Sequence, residues 1–173
     1  RCSDHSVQLG VFKVPTLIQQ TNELLPKALV SIRRSKIVRQ EYRRAAEVAG
    51  LSDKEPTHPD LPTRCNSIHE MGVDATSKRF ALDSIMDQFK DGIGCGALSD
   101  EQWQIIGVVS TFLLTPRQVM ESLAADRIST LELVPMSFTL LIKHCDDCEL
   151  ALNAVLPILI AASIKEKFLA YDK

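Results

Sequence analysis

Glycine, aromatic residues and alternating polar and apolar segments are all scarce in this chain. It has 7 glycines among 173 residues and 5% aromatic residues, and strand-like alternation between turn signals is hard to find. Because half-buried strands show that alternation, its scarcity argues against a sheet. Hydrophobic residues still make up 45% of the chain, enough for a packed core and not typical of disorder. The sequence therefore predicts an all-α, multi-helix bundle.

The sequence also lacks a signal peptide and a run of 18 apolar residues, so no membrane partner is expected. A zinc site built from Cys145 and Cys148 with Cys2 and His5 would require the two chain ends to meet, which nothing in the sequence indicates. Free thiols are the preferred interpretation, and no metal ligand is assigned. An odd cysteine count without disulfide-framework spacing indicates a reducing, nuclear or intracellular location; the cysteines are Cys2, Cys65, Cys95, Cys145 and Cys148.

Basic residues are not in excess overall, since the net charge is −2, but they are concentrated locally. Residues 27–44 contain the single acid Glu41 and seven basic residues, namely Lys27, Arg33, Arg34, Lys36, Arg39, Arg43 and Arg44. At 100° per residue, Lys36, Arg39 and Arg43 share one side of a helix, with Arg44 adjacent. Such a stripe can neutralise phosphates of a nucleic acid. It can equally be a solvated charged face that contacts nothing.

Proline, glycine and helix-capping residues divide the chain into segments with apolar residues at helical spacing. Breaks are predicted near Pro15 and Ser129 and within residues 50–62 and 91–96, which gives six to eight helices. The chain is interpreted as a single helical domain or fragment of four parts. These are helices over 1–50, an exposed proline-rich connector over 51–62, one helix over 63–90, and C-terminal helices over 97–173.

Local signals refine this division. Pro26 divides or kinks the second helix, and the basic stretch continues helically until Gly50 ends it. Ser99 caps a later helix, which Pro116 interrupts. The remaining predictions are a short helix over 2–14, a helix that begins at Thr130, and a last helix over 149–171.

The stretch Leu-Pro-Thr-Arg-Cys-Asn-Ser at 61–67 is the clearest candidate for a binding site. Pro62 disfavours helix at the residue before it, so a helix begins only afterwards. Arg64 and Asn66 then lie at a helix N-terminus, where free N–H groups and the helix dipole favour an anion. The alternative is a capped core helix with a solvated arginine. Its candidate N-caps are Thr63, Asn66 and Ser67.

The same stretch resembles the Thr-Arg-Trp-Asn-Ser motif of hAT-type DNA transposases, with Cys65 in place of the tryptophan. Four further stretches resemble family elements in the same order, and together the five are fairly specific. They are Cys2-Ser-Asp-His5 for Cys-x-x-His, Ile32-Arg-Arg-Ser35 for Ile-Arg-x-Ser, Leu98-Ser-Asp-Glu-Gln-Trp103 for Leu-Ser/Thr-Asp-x-Glu-Trp, and Ile164-Lys-Glu-Lys-Phe168 with Tyr171 for Met-x-x-Lys-Phe-x-x-Tyr.

The resemblance implies a fragment of the helical insertion within an RNase H-like catalytic domain, cut from a longer protein, with its sheet and catalytic acids missing. In the family, two aspartates and a glutamate hold Mg²⁺ or Mn²⁺ for phosphoryl transfer. By the family's order these acids fall outside the chain, so no catalytic residue, cofactor or enzymatic activity is expected of the chain alone. Cys2, His5 and Cys65 would lie near the active site of the parent protein.

The function implied is DNA binding and support of the nuclease core in cut-and-paste DNA transposition, in the nucleus. The partners would be DNA, the remainder of the parent protein, or a second copy. A competing hypothesis is a transposase-derived helical module that binds protein and has no DNA role; a weaker one is an unrelated helical bundle that matches by chance. The DNA-binding residues implied are Arg33, Arg34, Lys36, Arg39, Arg43, Arg44, Arg64 and Asn66.

Cys65 bears on whether the parent is active. In the family, the tryptophan at this place stacks on a flipped base beside the cleavage site, and a cysteine has no ring to do so. The resemblance therefore implies a degenerate or domesticated transposase. The opposing hypothesis is that Trp103 or Phe80 has taken over the stacking role.

Overall fold

The computed structural model describes residues 16–52, 54–57, 65–123 and 130–151. Every regular element within those ranges is a helix, so the all-α prediction is confirmed for the described chain. There are seven such helices in the described ranges. They are α1 (Thr16–Arg34), α2 (Lys36–Val48), α3 (Cys65–Ser77), α4 (Arg79–Gln88), α5 (Lys90–Ile93), α6 (Asp100–Leu123) and α7 (Thr130–Ala151).

Helices α1 to α6 surround one apolar core. The most extensive pairing joins α3 to α6, α2 lies against α4, and α1 contacts α2, α5 and α6. The helix α7 packs on α6 and extends the bundle on that side. The largest side chains that are almost completely buried are Tyr42, Leu25, Leu29, Ile32, Leu82, Ile85, Met86 and Leu141.

The basic stretch is divided between two helices, which the sequence did not predict. Ser35 has an extended backbone (φ −99°, ψ 118°), and its side chain accepts a hydrogen bond from Val38 N at 3.4 Å as the N-cap of α2. The continuous basic helix that was expected is therefore wrong. Its predicted end is confirmed, since Gly50 has φ +65° and the N–H groups of Gly50 and Leu51 close a Schellman motif on Glu47 and Ala46.

Prolines interrupt the helices less than the sequence indicates. The helix α6 runs through Pro116, and α1 runs undivided through Pro26. The predicted interruption at Pro116 is thus wrong. Proline removes one helical hydrogen bond, but Pro116 is itself buried, and packing of α6 against α3 and α7 supplies most of its helical stability.

The segment predicted as one helix over 63–90 contains α3, α4 and the first residue of α5. It breaks at Lys78 and again at Phe89, and the predicted turn over 91–96 begins only at Gly94, whose φ is +80°. Asn66 and Ser67 lie inside α3, so neither is its N-cap. Lys78 is 8% exposed, and its Nζ lies 2.8 Å from Asp74 of the preceding turn.

The predicted cap at Ser99 is confirmed. Ser99 Oγ accepts from Gln102 N at 3.2 Å, while Gln102 Oε1 accepts from Ser99 N at 2.9 Å, which is a reciprocal capping box. Residues from Thr130 onward are helical, and α7 continues to Ala151, so no separate helix begins at Glu149. The predictions for 2–14, Pro15, Thr63, Ser129 and 152–171 lie outside the described residues.

Candidate nucleic-acid interface

The described residues place six basic side chains around the junction of α1 and α2. Five of them are exposed, and Arg39 is half-buried. The members on α2 face outward because the apolar stripe of that helix, Val38, Tyr42 and Ala46, is buried against the bundle. Arg33 and Arg34 belong to the last turn of α1. We call this surface the basic face; its members are Arg33, Arg34, Lys36, Arg39, Arg43 and Arg44.

Three arginines of the basic face form ion pairs. Glu55 Oε1 lies 3.1 Å from Arg39 Nε and 3.4 Å from Arg43 Nη2. Arg44 Nη1 lies 2.6 Å from Glu41 Oε1, one turn earlier in the same helix. The Arg39 Nη2 group also donates to the carbonyl oxygen of Arg33, which ties the start of α2 to the end of α1.

Sequence reasoning missed the role of Glu55. This residue belongs to the proline-rich connector, which was expected to be exposed, and no helical periodicity relates it to α2. The structure instead buries Pro56 and joins its neighbours to the bundle through two hydrogen bonds. Thr57 N donates to Asp74 Oδ2 at 2.6 Å, and Tyr42 Oη donates to Lys54 O at 3.4 Å.

A polar cluster beneath the connector fixes it in place. Burial raises the pKa of Tyr42 to about 12, and the negative charges of Asp74 and Glu55 act in the same direction. Burial would by itself raise the pKa of Asp74. Hydrogen bonds from the Lys78 ammonium and from Thr57 outweigh it, so that pKa lies below its usual value. Tyr42 is therefore neutral, and Asp74 ionised, at neutral pH.

We expect Asp74→Asn to lower the free energy of unfolding by about 1–2 kcal/mol at pH 7, because Lys78 loses its carboxylate partner. The pKa of Asp74 is lower in the folded state than in the unfolded state, where it is near 4. The stabilisation by the Asp74 carboxylate is therefore fully present above the unfolded-state pKa and is lost as pH falls through the folded-state pKa. Urea unfolding of the wild type and of Asp74→Asn, repeated from pH 7 down to pH 3, should show that their difference in free energy of unfolding shrinks below about pH 4.

The exposed carboxylate of Asp91 provides the matched control. Asp91→Asn makes the same chemical change and should leave unfolding nearly unaltered at every pH. An Asp74→Asn variant that matches this control at pH 7 would contradict a stabilising role for the cluster.

The motif residues near the family active site are mostly beyond the described chain. Cys2, His5 and Arg64 lie outside it, and of Cys65 only the backbone, the first residue of α3, is described. Asn66 follows on α3 and is half-buried. The described residues therefore place the six members of the basic face around the junction of α1 and α2, while Arg64 and Asn66 stay a separate prediction.

Trp103 is not available to stack on a base. It is 3% exposed, its Nε1 donates to both carboxylate oxygens of Asp83 at 2.9 and 3.2 Å, and the Arg79 guanidinium lies 5.5 Å from the ring centroid. Phe80 is 65% exposed, but it lies three residues after the end of α3, whereas Cys65 is the first residue of that helix. The two ends of α3 are about 18 Å apart. Of the two proposed replacements, Trp103 is thus excluded, and Phe80 lies far from the position of Cys65.

The described residues offer no other recognisable centre of chemistry. Among them, no three histidine, cysteine or acidic side chains are grouped to hold a metal ion, and Cys145 is buried. No described helix has the length and apolar character needed to cross a membrane.

Comparisons with protein-family models, with curated proteins and with solved structures find no match for this chain. The class that the structure defines is an all-α helical bundle.

Proposed function

We propose that the chain is a helical fragment of an hAT-like transposase, degenerate or domesticated, and that it binds the backbone of duplex DNA through the basic face. The observation that carries the DNA-binding part is the set of six basic side chains, five of them exposed, around the junction of α1 and α2 in a chain whose net charge is −2. The five motif-like stretches in family order support the transposase part.

The residue types of the basic face determine what kind of binding is proposed. Arginine guanidinium groups suit phosphate oxygens, which they can contact through two parallel hydrogen bonds. Contacts to phosphates position a protein on DNA, whereas contacts to base edges give sequence specificity. The face offers mainly the first kind, so the proposed binding is weak, dependent on salt, and without sequence preference.

Changing Arg39, Arg43 and Arg44 together to glutamine should weaken binding to a 20-base-pair duplex at least about tenfold at 50 mM salt, because three phosphate contacts are lost. The slope of log K against log salt should become shallower by up to about 2.7 for the same reason. Fluorescence anisotropy across a salt titration measures both quantities.

A control uses two exposed lysines on other helices, Lys90 of α5 and Lys143 of α7, each changed to glutamine. This variant should bind nearly as well as the wild type. If the arginine variant and the wild type bind alike at all salt concentrations, the basic face is only a solvated surface and the DNA-binding proposal fails.

The competing function is a transposase-derived module that binds protein and has no DNA role. An open apolar groove of about 660 Å³ between the C-terminal half of α6 and α7 favours it. Met136 and Leu140 line this groove and are 70% and 50% exposed, which is unusual for such large apolar side chains. The DNA-binding experiment with the arginine variant separates the two functions, because only the first requires the basic face to bind DNA.

A further inference from the structure

The ion pairs of Glu55 are arranged like a bound anion on the basic face. A single carboxylate oxygen lies within 3.4 Å of guanidinium nitrogens from both Arg39 and Arg43, which are one helical turn apart on α2. A phosphate oxygen accepts hydrogen bonds from the same donors in the same way. The connector thus places a negatively charged group where a DNA phosphate would meet these two arginines.

The connector holds Glu55 there through the residues on both sides of it. On the N-terminal side of Glu55, the carbonyl oxygen of Lys54 accepts a hydrogen bond from Tyr42 Oη. On its C-terminal side, Pro56 is buried and the backbone N–H of Thr57 donates to Asp74. A carboxylate anchored at both ends has a high effective concentration at its site, so it competes with an anion from solution without needing strong contacts.

The contacts themselves are weak enough to be displaced. The Arg39 side chain is 35% exposed and that of Arg43 is 53% exposed, so water screens both pairs. Although Arg39 Nε lies close to Glu55, it is buried and makes no well-aligned hydrogen bond. An anion from solution therefore reaches Arg39 Nε only when Glu55 moves away.

We propose that Arg39 and Arg43 form a phosphate-binding pair and that Glu55 competes with nucleic acid for it. This inference rests on the proposed DNA binding and adds to it a regulatory contact. The connector has to release Glu55, or let its side chain turn away, before the two guanidinium groups bind the DNA backbone. Any change that removes the carboxylate should make the basic face a stronger binder.

The test is Glu55→Gln, which keeps the size of the side chain and removes its charge. We expect its affinity for a 20-base-pair duplex at 50 mM salt to be about three- to tenfold higher than that of the wild type, since two screened ion pairs no longer oppose binding. The slope of log K against log salt should steepen by up to about 0.9, as one more phosphate is neutralised. Circular dichroism and thermal unfolding verify that the variant is folded.

Glu47→Gln is the matched control, because Glu47 lies on α2, the helix that carries Arg39 and Arg43, is exposed, and forms no ion pair among the described residues. It raises the net charge equally and should change affinity much less. If DNA binds but Glu55→Gln and Glu47→Gln behave alike, the competition is overturned while the proposed DNA binding stands. If neither the wild type nor Glu55→Gln binds DNA, the proposed function itself fails.

Discussion

Gly72→Val should destabilise the protein by about 3 kcal/mol or more, because α3 and α6 approach too closely at this point to admit a side chain. A Cβ atom on Gly72 would lie 2.0 Å from Ser110 Oγ, 3.3 Å from Ser110 Cβ and 3.5 Å from Ile106 Cγ2. Ser110 is 4% exposed and its hydroxyl donates to Ile106 O at 2.7 Å. Its backbone carbonyl also accepts from buried His69 Nδ1 at 2.7 Å, so α6 cannot easily shift away.

Chemical denaturation gives the free energy of unfolding for this test. Gly107→Val is the control, since a Cβ on Gly107, also on a helix, meets no atom within 4 Å; this change should be near neutral or slightly stabilising. A second comparison uses Gly72→Ala with and without Ser110→Gly. The serine change should recover much of the loss, and purely additive effects would show that the contact is not the cause.

Trp103→Ala should cost about 3–5 kcal/mol of stability, the range typical of removing a large aromatic side chain from a core. Trp103 is 3% exposed at the start of α6 and belongs to the main apolar core. It also links two elements, because its indole N–H donates to Asp83 of α4 while Arg79 of α4 lies over its ring. The truncation would remove packing, a hydrogen bond to a carboxylate and a cation–π contact together.

Trp103→Phe separates these contributions. It keeps an aromatic ring in the core and removes the N–H donor, so a loss of about 1–2 kcal/mol is expected. Equilibrium urea unfolding monitored by far-ultraviolet circular dichroism is suitable, since tryptophan fluorescence disappears in both variants. If alanine is tolerated as well as phenylalanine, the ring does not support the core as described, and the motif-like Trp103 would need another role.

The apolar groove and the basic face bear on different functions and lie on different helices. The basic face is formed by α1 and α2, whereas the groove is formed by α6 and α7. Changes in one are therefore not expected to perturb the other, as sites with no shared partners usually behave independently. The salt titration with the arginine variant consequently tests DNA binding without disturbing the apolar groove, which favours the protein-interaction alternative.

The sequence alone was sufficient for features that depend on a few neighbouring residues. The helical spacing of apolar residues indicated an all-α fold, Gly50 marked a helix end that needs positive φ, and Ser99 formed the expected cap. It also placed Lys36, Arg43 and Arg44 on an exposed side of α2, since another side of that helix carries the apolar stripe. These signals are local, so no distant contact had to be known.

Tertiary structure alone decided the features that depend on residues far apart in the chain. Pro116 stays inside α6 because packing outweighs one missing hydrogen bond, and Gly72 is required by Ser110, 38 positions later. Trp103 is removed from any stacking role by Asp83 and Arg79. Glu55 reaches Arg39 and Arg43 only because buried Pro56 and the bond from Thr57 to Asp74 hold the connector against the bundle. No periodicity records such contacts, because they arise from the way helices pack and not from their spacing along the chain.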